Sequence, residues 1–300
     1  MMEVLQHLLD AFQQSLPFFL FIVALFSLLV GSFLNVVIYR LPLMMEREWT
    51  HECQEFLAGK TPCTEVERGT ESAETFNLSV PRSRCPACGH PISVLENIPI
   101  LSYLWLRGKC AACNTAISLR YPSIELVTGL LSVFIAWQFG VTGQTLAALV
   151  LTWALICLTM IDYDKMLLPD EITLPLLWLG LLLNYFHLFT DLESAVVGAM
   201  LGYLSLWGVY HIFRILTKKH GMGYGDFKLL AVFGAWLGWQ PILLIIILSS
   251  FVGAMVGICL VVFSNHNKNK PIPFGPYLAV AGWVALVFGD GIIHAYLNGW

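Results

Sequence analysis

Long apolar stretches, separated by short polar ones, dominate the chain from residue 17 onward. Eight of them reach or approach the roughly 20 residues that a helix needs to cross the core of a bilayer. They lie at 17–39, 124–140, 144–161, 172–189, 193–215, 228–239, 241–264 and 275–297. The pattern therefore predicts an all-α polytopic membrane protein with about eight transmembrane helices, of which the sixth is the shortest.

The composition and the positions of the basic residues agree with this prediction. Hydrophobic residues make up 57% of the 300 residues and charged residues only 12%, which is typical of a membrane protein. With the N-terminus outside, all 16 Lys and Arg residues lie in or beside the segments 40–123, 162–171, 216–227 and 265–274. Basic residues favour the cytoplasmic side, so these segments are predicted to be cytoplasmic. The net charge of −4 gives no reason to expect nucleic acid as a partner.

One polar segment, residues 40–123, is long enough to form a small domain between the first and second helices. The predicted division of the chain is thus 1–39, 40–123 and 124–300. Within the middle part, residues 46–80 contain eight Glu and three basic residues. Such a segment cannot bury enough apolar surface to order itself, so we expect a solvated insertion there.

Residues 81–123 contain two CxxC motifs, in RCPACGHPI and RGKCAACNTAI. The four thiols, Cys85, Cys88, Cys110 and Cys113, have nearly the spacing by which two tight turns bring four ligands around one zinc ion. Disulfides and free thiols are the alternatives. A reducing cytoplasm argues against disulfides, and the paired motifs argue against unrelated thiols. Four thiolates leave no ligand position for water, so a structural zinc in a zinc-ribbon-like domain is predicted.

The run LTWALICLTMIDYDKMLLPDEITLPLLWLG, residues 151–180, places several acids at the edge of the membrane, where an ionisable group suggests function. Asp162 directly follows an apolar run without a polar buffer and is the strongest candidate. Asp164 lies two residues further, where it could face water or pair with Lys165. Asp170 has the position of a helix N-cap.

A second acid, Asp226, follows a glycine-rich turn in GMGYGD, residues 221–226. An N-cap is again the simple interpretation, but an N-cap does not require three glycines, which let the backbone turn tightly. The predicted topology puts Asp162 and Asp226 on the same face of the membrane. Two adjoining carboxylates would share one proton, which is the chemistry of aspartic peptidases.

Together these motifs resemble those of the bacterial type IV prepilin peptidases. The resemblance covers nearly the whole chain apart from 46–80. It is carried by the GxGD motif at 223–226, the paired CxxC, GSFLNVVIYRLP (31–42), ENIPILSYLWLRGKC (96–110), SLRYPSIELVTG (118–129), MIDYDKMLLPD (160–170) and PIPFGPYLA (271–279). It implies a bifunctional enzyme of the bacterial inner membrane whose active site faces the cytoplasm. Such an enzyme cleaves the basic leader of prepilins and pseudopilins after a glycine, then methylates the new N-terminal amine with S-adenosylmethionine.

The resemblance also implies roles for particular residues. By position, the catalytic pair of the family falls on Asp162 and Asp226, and a glycine associated with methylation falls on Gly108. Gly108 has an alternative explanation, namely a positive φ in a zinc turn. Two residues are weaker candidates for binding the methyl donor, Glu96 and Lys109. Three others are candidates for binding the basic leader, namely Glu125, Asp164 and Asp170. The alternative for each is an ordinary surface charge.

Three other kinds of protein compete with this interpretation. A GxGD intramembrane protease without methyltransferase activity would share the two aspartates. A transporter would carry membrane acids near the middle of the bilayer and not at one interface. A non-catalytic membrane assembly subunit would explain the cysteines but not the acids.

Overall fold

The structure is a computed structural model that describes residues 6, 10–58, 76–93, 95–219, 221–263 and 272–298. The described residues are mainly helical and contain no strand, only two isolated β-bridges. The helices are α1 (Leu16–Ala58), α2 (Leu101–Trp105), α3 (Arg120–Phe139), α4 (Gly143–Lys165), α5 (Asp170–Tyr185), α6 (Leu192–Thr217), α7 (Tyr224–Leu237), α8 (Ile242–Phe263) and α9 (Gly275–Asn298), with a 3₁₀ turn at Leu95–Asn97.

A helix lies at each of the eight positions predicted for a membrane span. Five helices, α1, α3, α4, α6 and α8, are long and apolar enough to cross a bilayer. The all-α polytopic fold is therefore confirmed, whereas the number of eight spans stays a prediction.

The first helix is longer than the sequence indicates. It was expected to end near residue 39, but α1 continues to Ala58 and contains Pro42. Residues 46–58 of the acidic segment are thus helical and not part of an unstructured insertion. Residues 59–75 of that segment, with Lys60, Cys63 and Arg68, lie outside the described residues.

The chain divides into two compact units. One comprises Leu25–Gly129, and the other comprises Met1–Ala24 with Leu130–Trp300. The predicted boundaries at 40 and 123 followed the change from apolar to polar residues. The observed unit Leu25–Gly129 instead includes much of α1 and the beginning of α3, because the apolar parts of these helices pack together.

Helix α7 is the centre of the larger unit. It packs against α5, α6 and α9, and the side chains of Phe227, Leu229, Leu230, Val232, Phe233, Ala235 and Trp236 are fully buried. Fourteen residues make a helix of about 21 Å, short of a bilayer core. Its neighbours cover it with protein, and this explains how so short a helix is accommodated.

The contact between α6 and α7 is made by backbone. A Cβ atom on Gly202 would lie 2.6 Å from the carbonyl oxygen of Leu230, and one on Gly234 would overlap the carbonyl of Gly198. Small residues allow such close approach of two helices. Asn184 of α5 closes the other side by donating hydrogen bonds to the carbonyls of Ala235 and Trp236, at 2.8 and 2.9 Å.

In the smaller unit, α1 and α3 also meet at a glycine. A Cβ on Gly31 would lie 2.8 Å from the Cα of Glu125 and 3.1 Å from the Cβ of Thr128. Any larger residue at position 31 would push the helices apart. The glycine thus allows α3 to bring the Glu125 side chain close to α1.

Candidate active site

Asp162 is buried in the last turn of α4, with 5% of its surface exposed. The helix does not end at this residue, as the sequence suggested, but continues to Lys165. The backbone N–H of Gly275 donates a hydrogen bond of 2.9 Å to Asp162 Oδ2. Gly275 is the first residue of α9, so its N–H lacks a partner within its own helix. The carboxylate therefore lies at the positive end of a helix dipole.

Asp226 has a similar environment on a different helix. It is 6% exposed and is the third residue of α7. Its Oδ2 accepts a hydrogen bond of 3.3 Å from the N–H of Gly223, which is the N-cap residue. The alternative interpretation of Asp226 as an N-cap is thus wrong, because the N-cap lies three residues earlier, at Gly223. The helix end remains the source of stabilisation for the carboxylate.

The two carboxylates belong to one site. Asp162 and Asp226 are close enough to repel each other electrostatically. Leu168, which is buried, lies between the backbone segments that hold them: a Cβ on Gly225 would lie 2.7 Å from Leu168 Cβ, and one on Gly275 would lie 3.2 Å from Leu168 Cδ2. Two buried acids that lie around one buried residue, each bonded to an N–H at a helix N-terminus, form an arrangement suited to sharing a proton.

The other two acids of this region are placed differently. Asp164 is exposed at the end of α4. Asp170 is not the N-cap of α5, because that position is occupied by Pro169. Its carboxylate instead accepts hydrogen bonds of 2.6 and 2.7 Å from Lys228 Nζ on α7. Asp170 thus joins α5 to α7, and Lys228 already neutralises the charge that was predicted to hold a basic leader.

The four predicted metal ligands come together in the smaller unit. The sulfur atoms of Cys85, Cys88, Cys110 and Cys113 all lie within 4.8 Å of one another. A tetrahedral zinc ion with Zn–S bonds of about 2.3 Å separates its sulfurs by about 3.8 Å. The Cys85 and Cys113 sulfurs are 3.8 Å apart. The donor set and its spacing therefore fit a structural metal ion.

The two CxxC turns have the same construction, offset by 25 residues. In the first, the N–H of Cys85 donates to His90 O and the N–H of Gly89 donates to Cys85 O, both at 2.9 Å. In the second, Cys110 and Asn114 make the equivalent bonds at 2.9 and 3.0 Å. Gly89 and Asn114 both have positive φ, of 70° and 58°, which reverses the chain just after the second cysteine of each turn.

A cavity of about 560 Å³ lies within the same unit, a size usual for sites that bind small molecules. Both predicted acids of this region line it, Glu96 and Glu125. Glu96 Oε2 accepts from the N–H of Ser93 at 2.7 Å, and Oε1 lies 3.3 Å from Nε2 of His90. These contacts, the first above all, hold the pKa of Glu96 below its usual value.

Gly108 and Lys109 are not among the described residues that line this cavity. Gly108 is buried, has φ 69°, and would place a Cβ 2.7 Å from the hydroxyl of Tyr103. Tyr103 does line the cavity. Lys109 is exposed and pairs through its backbone with Ala116. Gly108 therefore adjoins the cavity through two residues that line it, Tyr103 and Ile117, and the N–H of Ile117 donates to Gly108 O at 2.7 Å.

Sequence reasoning gave no role to Gly275 and Leu168, although both contact the acid site. Gly275-Pro276 begins an apolar run in the sequence, and a helix N-terminus is a general place for a carboxylate partner. The sequence therefore indicated that Gly275 could bind a carboxylate. Only the structure shows that this carboxylate belongs to Asp162, which is 113 residues away.

A pair of buried aspartates within a helical membrane unit defines the class of intramembrane aspartic peptidases. Family models match two regions: residues 25–139 match the bacterial peptidase A24 N-terminal domain, and residues 149–258 match the type IV leader peptidase family. The chain belongs to the type IV leader peptidase family.

Three relatives illustrate the similarity, and each bears the name prepilin leader peptidase/N-methyltransferase. The protein of Aeromonas salmonicida (strain A449) is 57% identical over 284 residues, which is 94% of this chain and 96% of the relative. That of Pseudomonas aeruginosa PAO1 is 54% identical over 91% of this chain and 92% of its own length. That of Neisseria gonorrhoeae is 49% identical over 95% of both. No solved structure gives a significant match.

Proposed function

We propose that this protein is a bifunctional enzyme of the bacterial inner membrane. It cleaves the basic leader of type IV prepilins and pseudopilins on the cytoplasmic side, after a glycine, and then methylates the new N-terminal amine. The observation that carries the peptidase assignment is the buried pair Asp162 and Asp226, each bonded to a glycine N–H. The methyltransferase assignment is supported by the names of the relatives.

The acid pair supplies both proton transfers that peptide hydrolysis needs. With one proton shared between Asp162 and Asp226, the ionised carboxylate takes a proton from water while the water oxygen attacks the scissile carbonyl. The protonated carboxyl donates its proton to the carbonyl oxygen. When the tetrahedral intermediate collapses, its hydroxyl returns a proton to the pair and becomes the carbonyl, the C–N bond breaks, and the leaving amine takes up the other proton that the pair holds, so the pair again shares one proton.

The glycine contacts keep the pair oriented during these steps. The N–H groups of Gly275 and Gly223 each bind one carboxylate oxygen, and within the described part of the chain no other hydrogen bond occupies the second oxygen of either acid. A carboxylate at a helix N-terminus is stabilised by partial positive charge that needs no counter-ion. This allows two acids to remain together in a buried site.

Methylation uses a different kind of chemistry. The free amine of the cleaved pilin, usually on phenylalanine, attacks the methyl carbon of S-adenosylmethionine. The C–S bond breaks, its electron pair stays on sulfur, and the amine loses a proton. S-adenosylmethionine is consumed in this step as the methyl donor.

Zinc is proposed as the metal of the four-cysteine cluster. Cys85, Cys88, Cys110 and Cys113 would complete a closed tetrahedral shell, which leaves no site for a catalytic water. The ion would hold together the two turns that begin and end the segment 85–113. Its role is thus structural.

The proposed function is tested by incubating the purified protein in detergent with a prepilin and S-adenosylmethionine. Leader loss on a gel, together with a mass gain of one methyl group on the mature product, is the expected result. Cleavage without methylation would leave only the peptidase half of the proposal. If the protein causes neither leader loss nor methylation, the result favours a non-catalytic subunit or a transporter.

Replacing Cys85 or Cys110 by Ser is expected to lower the bound zinc from one ion per chain to nearly none. Metal binding in so small a site provides much of its folding free energy, so the segment 81–123 should also become sensitive to proteases. Metal analysis and limited proteolysis measure the two effects. Cys157, which is buried in α4, provides the control as Cys157→Ser, whose zinc content should not change. A fully active protein without zinc in reducing buffer would contradict the assignment.

Replacing Gly108 by Val is expected to preserve leader cleavage but to abolish methylation. The larger side chain would strain a positive φ and push against Tyr103, which lines the cavity. Mass spectrometry of the processed pilin measures the outcome. Gly89→Val is the matched control, since Gly89 has φ 70° but open space around its Cβ position. If both variants lose methylation equally, backbone strain and not Tyr103 is the cause. A methylated product from Gly108→Val would contradict the role of Gly108.

A further inference from the structure

The cavity of the unit Leu25–Gly129 is lined by a buried acid, Glu125, that has no cationic partner among the described residues. Glu125 is 8% exposed and is the sixth residue of α3. Its Oε2 accepts a hydrogen bond of 2.8 Å from the N–H of Ile100, and the hydroxyl of Ser32 also contacts the carboxylate. These donors are neutral. Among the described residues, no Lys, Arg or His forms an ion pair with Glu125.

The site around Glu125 is built and does not arise from an isolated acid. Gly31 of α1 permits the close helix contact that positions it. Ile100 adopts a positive φ of 59°, a costly conformation for a β-branched residue, and its N–H points at the carboxylate. Asn97, from the adjoining turn, accepts a hydrogen bond from Ser32 at 3.5 Å. Three segments of the chain thus converge on one buried carboxylate.

Two of the other charged groups of the cavity have partners within the protein. Glu96 is held by Ser93 and His90. The Arg40 guanidinium donates to the carbonyls of Asn77, Leu78 and Pro81, at 2.9, 3.4 and 2.6 Å. Arg84 also lines the cavity, and no ion pair joins it to Glu125 among the described residues. Glu125 differs from Glu96 and Arg40, because among the described residues no cation forms an ion pair with its carboxylate. A buried carboxylate of this kind is best satisfied by a cationic ligand.

We propose that this cavity binds the methyl donor S-adenosylmethionine, with the Glu125 carboxylate as the electrostatic partner of its positively charged sulfonium end. The proposal rests on the methyltransferase half of the proposed function. The volume of about 560 Å³ accommodates a nucleoside-sized ligand. Tyr103 and Tyr121 also line the cavity, and tyrosine rings attract cations that lie over their faces.

If Glu125 contacts the sulfonium, the protein should bind the methyl donor more tightly than the demethylated product. Methyl transfer converts the sulfonium of S-adenosylmethionine into the neutral thioether of S-adenosylhomocysteine. A carboxylate that contacts the sulfonium holds the donor more tightly than the product, so it favours exchange of one for the other after each turnover. The ratio of the two dissociation constants reports on this contact and does not depend on catalytic activity.

The first experiment compares binding of S-adenosylmethionine and S-adenosylhomocysteine to the full-length protein in detergent by calorimetry. Glu125→Gln is expected to weaken donor binding about tenfold or more, as for loss of a charged hydrogen-bond partner, and product binding no more than about twofold. Unchanged product binding also shows that the variant is folded. Glu55→Gln is the control, since Glu55 lies on α1 with 71% of its side chain exposed. A donor-to-product ratio in Glu125→Gln equal to that of the control overturns the role of Glu125.

A second pair of variants tests the cavity without removing a charge. Ala116 lines the cavity and is exposed, whereas Ala112 is exposed in the same CxxC turn but does not line it. Ala116→Phe is expected to weaken both ligands about tenfold or more, and Ala112→Phe neither. Wild-type affinity in Ala116→Phe overturns the location. If the native protein binds neither ligand and leaves pilin unmethylated, the methyltransferase proposal itself fails. If it methylates pilin while all variants bind normally, only the location fails.

Discussion

Replacing either Asp162 or Asp226 by Asn is expected to abolish leader cleavage, with a loss of about 10⁴-fold or more in rate. Asparagine can still accept the hydrogen bond from Gly275 or Gly223, so the fold should be retained. It can neither take a proton from water nor give one to the carbonyl. Single-turnover cleavage of a prepilin, followed by mass spectrometry, measures the loss.

Two further variants make this experiment specific. The double variant should be no slower than either single variant, because residues that act as a unit are not additive. Asp164→Asn should lose far less activity, since Asp164 is exposed beyond the buried pair. Substantial processing by either single variant would remove that residue from the catalytic pair, and a severe loss in Asp164→Asn would make Asp164 its replacement.

Replacing Gly275 by Ala is expected to reduce cleavage by about 10²-fold while leaving stability nearly unchanged. The added Cβ would lie 2.6 Å from Asp162 Oδ2 and 3.1 Å from Asp162 Cγ. The end of the side chain must move, which costs folding little, but a displacement of about 1 Å in a reacting group is enough for such a loss. The rate constant for cleavage and the melting temperature in detergent are the two measurements.

Gly289→Ala provides the comparison on the same helix. There the added Cβ meets Ala285 Cβ at 4.0 Å, an ordinary contact, and alanine favours a helix over glycine by about 1 kcal/mol. This variant should cleave normally and be as stable as the original protein or more so. Full activity in Gly275→Ala would show that the orientation of Asp162 does not depend on Gly275.

The sequence was sufficient for the helical membrane fold and for the two acids that meet in the site. Asp162 follows an apolar run directly, and Asp226 follows a glycine-rich turn, so local pattern was enough to single them out. Their stabilisation was not predictable in the same way. The bond from Gly275 to Asp162 spans 113 residues, and which helix end faces which acid depends on how the helices pack.

The misassigned residues show the same limit. Asp170 has the local sequence of an N-cap, but an ion pair with Lys228, 58 residues away, determines its position. The sequence predicted Glu125 as a weak candidate for binding the basic leader, with an ordinary surface charge as the alternative. Its burial follows from Gly31, which lets α1 approach α3 closely. In each case a partner distant in sequence decides what the side chain does, and periodicity along the chain gives no information about such partners.

The backbone contact between α6 and α7 has a consequence for how a substrate can enter. At Gly198, Gly202 and Gly234 there are no side chains whose rotamers could change, so α7 can neither slide nor roll unless α6 moves with it. Asp226, which lies on α7, is therefore held in a fixed position relative to α6. Asp162 rests on the first residue of a separate helix, α9. We therefore expect that room for the cleavage site of an incoming substrate helix is made by a shift of the segments that hold Asp162, and not by a shift of α7.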